Sequence, residues 1–381
     1  LKIQLWIGIM KIGMICYPTH GGSGVVASEL GLALARRGYE VHFISYAVPF
    51  RLREFHPNIF LHEVDVAAYP LFKYPPYDLS LTTKIVDVAQ EYNLDLLHAH
   101  YAVPHATSAY LAKHVLNSKK LKVITTLHGT DITLVGADKS FFSMIKFSIE
   151  QSDGVTAVSN YLKQRTVEEF QIQRDIRVIY NFIDPGKGED SKPWVCRREK
   201  YAPKGEKVLM HVSNFRPVKR VSDVVRIFAK VREQMPCKLL LVGEGPERLF
   251  MQQLAKEMKL REDVLFLGEV DYIEQILRCA DLFLLPSEQE SFGLAALEAM
   301  NCSVPVIGAR TGGVPEVIVH GETGFLFPVG EINAMAQAAI AILSDHEKYR
   351  RFAAASRRRA QEFAIDKIMP EWESYYQEII A

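Results

Sequence analysis

"KIGMICYPTHGGSGVVASELGLALARRGYEVHFISY", Lys11–Tyr46, is the stretch whose reading decides the fold. It opens on a short apolar run and passes through Gly21, Gly22, Ser23 and Gly24. In "VVASELGLALARRG" small and apolar residues then recur at spacings of three and four, and Gly38 supplies a helix stop. A second β-rich run, "EVHFISY", closes the unit. Strand, glycine turn, helix, strand is the grammar of a parallel sheet covered by helices. The pattern continues at "FLHEVDV", "LDLLHAHY", "KVITTLHGT", "DGVTAVS" and "IRVIYNF". At "DPGKGEDSKPWVCRREKYAPKGEK" the composition turns polar, charged and rich in Gly and Pro, which marks a domain boundary near residue 184. Beyond it the grammar restarts with "KVLMHVSN", "CKLLLVGEG", "DVLFLGEV", "DLFLLPSE", "VPVIGAR" and "TGFLF". The expected fold class is therefore α/β, with two doubly wound Rossmann-like domains at 1–184 and 185–364. Helical segments follow, the last containing Pro370, which would kink or start a helix there. Two such domains in tandem bring two sets of strand C-terminal ends within reach of one central cleft, and ligands bind outside those ends.

The 381 residues are 48% hydrophobic, enough for two cores, and 45 Lys+Arg balance 45 Asp+Glu. Formal neutrality argues against a nucleic-acid partner while allowing a local basic pocket. Five cysteines, Cys16, Cys196, Cys237, Cys279 and Cys302, show no Cys-x-x-Cys spacing. Their odd number does not suit a disulfide framework, so a reducing cytoplasm is the expected location. The apolar start "LKIQLWIGIMKIGMICYP" lacks the basic region and cleavage site of a signal peptide. Broken by Lys11, it is too short to span a membrane, and residues 1–9 read as an upstream extension.

Chemistry-bearing residues cluster just after strands. The Gly22–Gly24 loop suits close approach of an anion to backbone amides, or is simply a tight turn. A dinucleotide fold would want a carboxylate at the end of the next strand, and "HFISYAV" has none, which disfavours a dehydrogenase. In "HVSNFRPVKRV", Arg216, Lys219 and Arg220 fall within five residues, a cation set that suits a diphosphate or a solvated basic turn. "LVGEGPE" supplies Gly243 and Gly245, and "LGEVDY" supplies Val270, whose backbone could read a base. In "EQESFGLAALEAM", Glu290 and Glu298 have seven residues between them and flank a helix start. The amides of Phe292, Gly293 and Leu294 lie at a helix start, where they can bind a phosphate. Glu290 and Glu298 can each accept from sugar hydroxyls, against the alternatives of a dipole-offsetting carboxylate and an exposed one. His98 and His100 share one face of a strand end without a third metal ligand at a recognisable spacing, which favours a structural strand terminus. His128 suits a neutral hydrogen-bond partner better than a general base. "KYPPYD" reads as a rigid turn or an acceptor loop. "SFFSMIKFSIE" reads as core packing before a membrane-touching face.

Together with the Glu290–Glu298 pair, "CYPTHGGSGVVASELG", "FKYPPYDL", "AHYAVPHA", "TTLHGTDIT", "YNFID" and "VSNFRPVKRV" make the whole chain resemble the retaining GT-B glycosyltransferases of family 4. Within that family it is similar to the subgroup that acts in bacillithiol biosynthesis. The resemblance implies transfer of GlcNAc from UDP-GlcNAc to the hydroxyl of L-malate, with retention. It implies that Glu298 holds the ribose and Glu290 the sugar hydroxyls. Arg216 and Lys219 would hold the diphosphate with Gly22, Ser23 and Gly24, and His128 would lie near the donor sugar. Asn214, Val270, Ser291, Phe292, Gly293 and Leu294 complete the implied donor contacts. Ser23, Tyr101, Thr130, Lys146 and Asn181 are implied for a small hydroxy-acid acceptor, and the last helix, 365–381, is expected to pack back on the first domain. Ser213-Asn214 replaces the Gly-Arg pair that many members carry, and Lys146 stands where the nearest members carry arginine. Lysine keeps the charge but not the bidentate fork. No Asp-x-Asp occurs, so neither metal nor cofactor is expected. A homo-oligomer is compatible with the sequence. The alternatives are a sibling transferase with a lipid or inositol-type acceptor, and a UDP-sugar epimerase on the same frame.

Overall fold

A computed structural model describes residues 9–19, 21–52, 55–66, 73–133, 138–185 and 196–381. Residues 1–8, Phe72 and residues 186–195 of the polar boundary stretch lie outside the described residues. The chain separates into two compact units: Leu1–Tyr180 with Ile368–Ala381, and Asn181–Lys367.

Among the described residues, the first unit holds seven parallel strands: β1 (Lys11–Ile15), β2 (Glu40–Ser45), β3 (Ile59–Glu63), β4 (Leu96–His100), β5 (Lys122–Leu127), β6 (Gly154–Ala157) and β7 (Arg177–Val178). They lie in the order β3-β2-β1-β4-β5-β6-β7. The second holds six: β8 (Lys207–Val212), β9 (Cys237–Val242), β10 (Val264–Gly268), β11 (Leu282–Leu285), β12 (Val306–Ala309) and β13 (Gly324–Phe327). Their order is β10-β9-β8-β11-β12-β13. Each strand overlaps a run the sequence pattern marks as β, and β3 begins one residue before its run. In both sheets the order reverses beside the first strand, at β1/β4 and at β8/β11. A parallel sheet opens a crevice at such a switch point, because the helices on either side of it cover opposite faces.

Burial follows from position in the sheet. All five residues of β4 are buried, whereas edge strand β3 is largely exposed. Helix Val221–Arg232 shows how the second core is made. Val221, Val224, Val225, Ile227, Phe228 and Val231 recur at helical spacing and are fully buried against Leu209, Leu239 and Leu241 of the sheet. The C-terminal helix Ile365–Ile380 runs through Pro370 without ending. Its Trp372, Tyr375 and Tyr376 are buried in the first unit, where the Tyr376 hydroxyl bonds His98 Nδ1 at 2.7 Å.

One cysteine expectation is corrected: Cys196 and Cys279 are joined by a disulfide across 83 residues of sequence. Spacing rules see only neighbours, while the fold brings the start of the second unit beside the loop before β11, where Arg198 also pairs with Asp281 at 2.5 Å. Among the described residues, no helix is long and apolar enough to cross a membrane.

Candidate active site

In the second unit the basic loop and the glutamate loop leave the two strands that flank the switch point, β8 and β11. The loop after β8 is held from beneath by His211. Its Nδ1–H donates to Leu284 O of β11 at 2.8 Å, so Nε2 accepts the Ser213 hydroxyl, also at 2.8 Å. Ser213 Oγ in turn accepts the Phe215 amide at 3.3 Å. Burial pushes the His211 imidazole down to about 4, so it stays neutral and this polarity is kept. Gly243 and Gly245 press on the same loop. A Cβ on Gly243 would lie 1.9 Å from Ser213 O, and one on Gly245 2.0 Å from Asn214 O. These two glycines are what allow two loops to pack backbone to backbone.

Fixed in this way, the loop places Lys219 Nζ 2.6 Å from Glu290 Oε1, which also accepts the Ser287 hydroxyl at 3.0 Å. The two side chains are 22% and 13% exposed, shielded enough for the pair to hold its geometry yet open on one side to a ligand. The backbone is locked too. The Glu288 amide donates to Val218 O at 2.8 Å, and Gly313 N to Glu290 O at 3.0 Å. Asn214 and Arg216 are exposed beside the pair, and Val270 lies half-buried just after β10. Helix Leu294–Asn301 starts behind Gly293 at φ 98°, with Ser291 half-buried and Phe292 buried. Its first-turn amides therefore have no partner within the helix. Glu298 is half-buried on this helix. The expected donor residues of this unit are thus gathered at the ends of β8, β10 and β11.

In the first unit, Gly22, Ser23 and Gly24 form the opening turn of helix Gly22–Arg36 and not a loop before it. A Cβ on Gly24 would meet Thr19 O at 2.4 Å and Tyr17 O at 2.8 Å, so the turn closes tightly on the end of β1. Tyr101 follows β4 with φ 107°. Its ring centroid lies 5.5 Å from that of His128, which follows β5. Thr130 opens the short helix Thr130–Thr133. Asp131, which the sequence reading passed over, ties these turns together. One carboxylate oxygen accepts the Ala102 amide at 3.2 Å, the other the His128 and Gly129 amides at 3.3 and 2.9 Å. Burial pushes Asp131 up to about 6 despite those donors. The signal was present in "HGTD", since Asp commonly bonds nearby backbone amides at a turn.

His98 and His100 stack at 4.3 Å as buried parts of a strand terminus. Among the described residues no group of three or more His, Cys, Asp or Glu is arranged to hold a metal ion. Two acceptor expectations meet complications. Lys146 Nζ donates to Phe170 O and Gln171 O at 2.8 and 2.6 Å, closing the end of helix Asn160–Phe170. Asn181, buried, is the first residue of the second unit, not of the first. The reading of "SFFSMIKFSIE" as core packing holds for Ile145, Ser148 and Ile149, and in part for the half-buried Phe142, which stacks on Phe170. Phe141, Met144 and Phe147 remain 42%, 43% and 37% exposed.

Comparison with known proteins follows the same division. The family model "Glycosyltransferase Family 4" matches residues 20–187, and "Glycosyl transferases group 1" matches 195–359. The chain is 50% identical over 372 residues to N-acetyl-alpha-D-glucosaminyl L-malate synthase of Bacillus anthracis, covering 97% of each. Among solved structures it resembles sucrose-phosphate synthase from Thermosynechococcus elongatus, with TM-score 0.79, 23% identity and coverage of 97% and 99% of the two chains. It also resembles Anabaena HepE in complex with UDP-glucose, with TM-score 0.81, 21% identity and coverage of 97% and 100%. At those identities the two structures speak to the fold alone.

Proposed function

This chain belongs to the family 4, group 1 glycosyltransferases, and from that premise we propose that it moves GlcNAc from UDP-GlcNAc to the hydroxyl of L-malate, with retention, as a step of bacillithiol biosynthesis. The observation that carries the choice of sugar and acceptor is the half-identical Bacillus anthracis relative, whose name states the N-acetylglucosaminyl group and L-malate, matched over nearly the whole of both chains. Lys219 and Arg216 offset the diphosphate charge, and the amides at the start of Leu294–Asn301 meet a phosphate oxygen. Glu290 accepts from donor-sugar hydroxyls and Glu298 from the ribose. His128 sits at the donor sugar, while Ser23, Tyr101 and Thr130 line the acceptor side. The leaving diphosphate is stabilised by these cations and amides without a metal, in keeping with the absence of Asp-x-Asp from the sequence.

Transfer proceeds on one face of the sugar. The bond from the anomeric carbon to the phosphate oxygen breaks as the malate hydroxyl oxygen bonds that carbon, and the departing oxygen takes the hydroxyl proton. No sequence motif nominates a carboxylate nucleophile for a double displacement, and Asp131 is committed to three amides. The enzyme acts in the cytoplasm on dissolved substrates.

An acceptor screen at fixed UDP-GlcNAc tests this reading. UDP release that depends on L-malate, with an α-linked product by NMR, is expected. Release or sugar conversion independent of malate overturns it, as a trapped covalent glycosyl-enzyme overturns the one-face route. The exposed Phe141, Met144 and Phe147 favour one second reading, a lipid-borne acceptor. Co-sedimentation with anionic vesicles, together with turnover of a lipid acceptor in the same screen, would select it.

A further inference from the structure

Resting on the transferase reading, we infer that His100 is a positioning residue that sets the tautomer of His128 through a relay from Met14, so that His128 offers a bare Nδ1 to the donor sugar. His100 Nε2 lies 3.0 Å from Met14 Sδ. A thioether sulfur can only accept, so the proton of a neutral His100 is on Nε2. That leaves His100 Nδ1 as an acceptor, and the atom facing it, at 2.9 Å, is His128 Nε2. A hydrogen bond there requires His128 to carry its own proton on Nε2. The remaining nitrogen, Nδ1, is then a lone pair, which accepts from a hydroxyl and repels a carbonyl.

Both rings must be neutral for this deduction to hold. His100 is fully buried, and the rings of His98 and His128 disfavour a positive charge on it. Burial likewise holds His128 down to about 3, with His105 adding to the effect. His105 donates its Nδ1–H to His100 O at 2.5 Å and so holds the backbone beneath the relay. On the far side His98 bonds Thr126 Oγ1 at 2.6 Å and Tyr376, and it stacks on His100, which fixes the ring plane. Among the described residues, the ring nitrogens of His100 and His128 that bond do so to each other and to Met14, not to a carboxylate. Met14 is the one partner in the relay that cannot reverse its role.

The experiment uses the full chain with 15N-labelled histidine and two-bond 1H–15N correlation near neutral pH. The His100 and His128 signals are assigned from their loss in H100N and H128Q. Native protein should show bare Nδ1 and protonated Nε2 on both rings. Met14→Leu keeps the volume but removes the acceptor. Both rings can then invert, so kcat should fall by about tenfold while KM for UDP-GlcNAc stays within about twofold. His100→Asn presents a carbonyl oxygen near the Nδ1 position and should restore the His128 tautomer and most of the turnover. His100→Leu should do neither, and the Asn/Leu contrast decides the matter even where M14L folds poorly. A native His128 protonated on Nδ1, or an M14L protein with unchanged tautomer and kcat, overturns the relay. The tautomers as stated, in a chain that turns over no UDP-sugar, would leave the relay standing and remove the functional reading.

Discussion

Glu290 Oε1 is shared between Lys219 and Ser287, so the carboxylate holds a cation that a diphosphate would also attract. This competition sharpens what a substitution should do. Glu290→Gln removes the charge that restrains Lys219 while keeping most of the shape. On the proposed role of Glu290, turnover should fall by about a hundredfold, because an acceptor for the sugar hydroxyls would be weakened in the transition state. UDP affinity should stay within about threefold or tighten, because the freed ammonium is available to phosphate. Steady-state kinetics beside calorimetric titration of UDP separate the two, and equal losses in both would remove Glu290 from the sugar ring. Lys146 gives the opposite lesson. Its ammonium is occupied by two carbonyls at a helix end, a use that its charge alone does not reveal.

Strand ends and their turns are the elements that carry the site, and they are rigid because they bond to one another. The turn after β8 is gripped by His211 from below and by the turn after β9 from the side. Gly243 has φ 118° and no room for a Cβ beside Ser213 O. Gly243→Ala should therefore cost about 2–3 kcal/mol from the backbone conformation and the forced shift together. Because the shift moves Arg216 and Lys219, KM for the donor should rise several-fold in the protein that does fold. Thermal melts and donor titration check the two parts, and an alanine variant with native stability and KM would show that the contact is slack.

Across the molecule, buried imidazoles are concentrated in the first unit. Burial holds His98 and His128 down to about 3 and His62 and His105 to about 4, while among the described residues of the second unit only His211 shows such a shift. A folded-state value below the unfolded one makes the native form lose stability as pH falls below about 6.5, because the unfolded chain binds protons that the folded chain refuses. By about pH 5 each fully buried histidine costs on the order of 2 kcal/mol. Asp131 runs the other way. Raised to about 6, it takes up a proton in the native state first and offsets part of one histidine's loss. The first unit should accordingly lose protection before the second between about pH 6 and pH 4. Hydrogen exchange at β4 and β5, against that at β8 and β9, measures it, and simultaneous loss in both units would contradict the assignment.

Thirteen strands and the two-unit repetition were legible in the chain because apolar run length, glycine turns and helical spacing are local properties. So was the placing of cations and carboxylates just after strands, since the chemistry of an α/β sheet gathers at its C-terminal edge. Partnership was not legible. Lys219 meets Glu290 across 71 residues, His98 meets Tyr376 across 278, and Cys196 meets Cys279 across 83. The packing of strands, helices and loops makes such residues neighbours. Sequence therefore determined which groups stand at the ends of strands, and tertiary structure decided which of them are spent on holding one another. A hydrogen bond or ion pair depends on separations of a few ångströms, which only the packed sheet specifies.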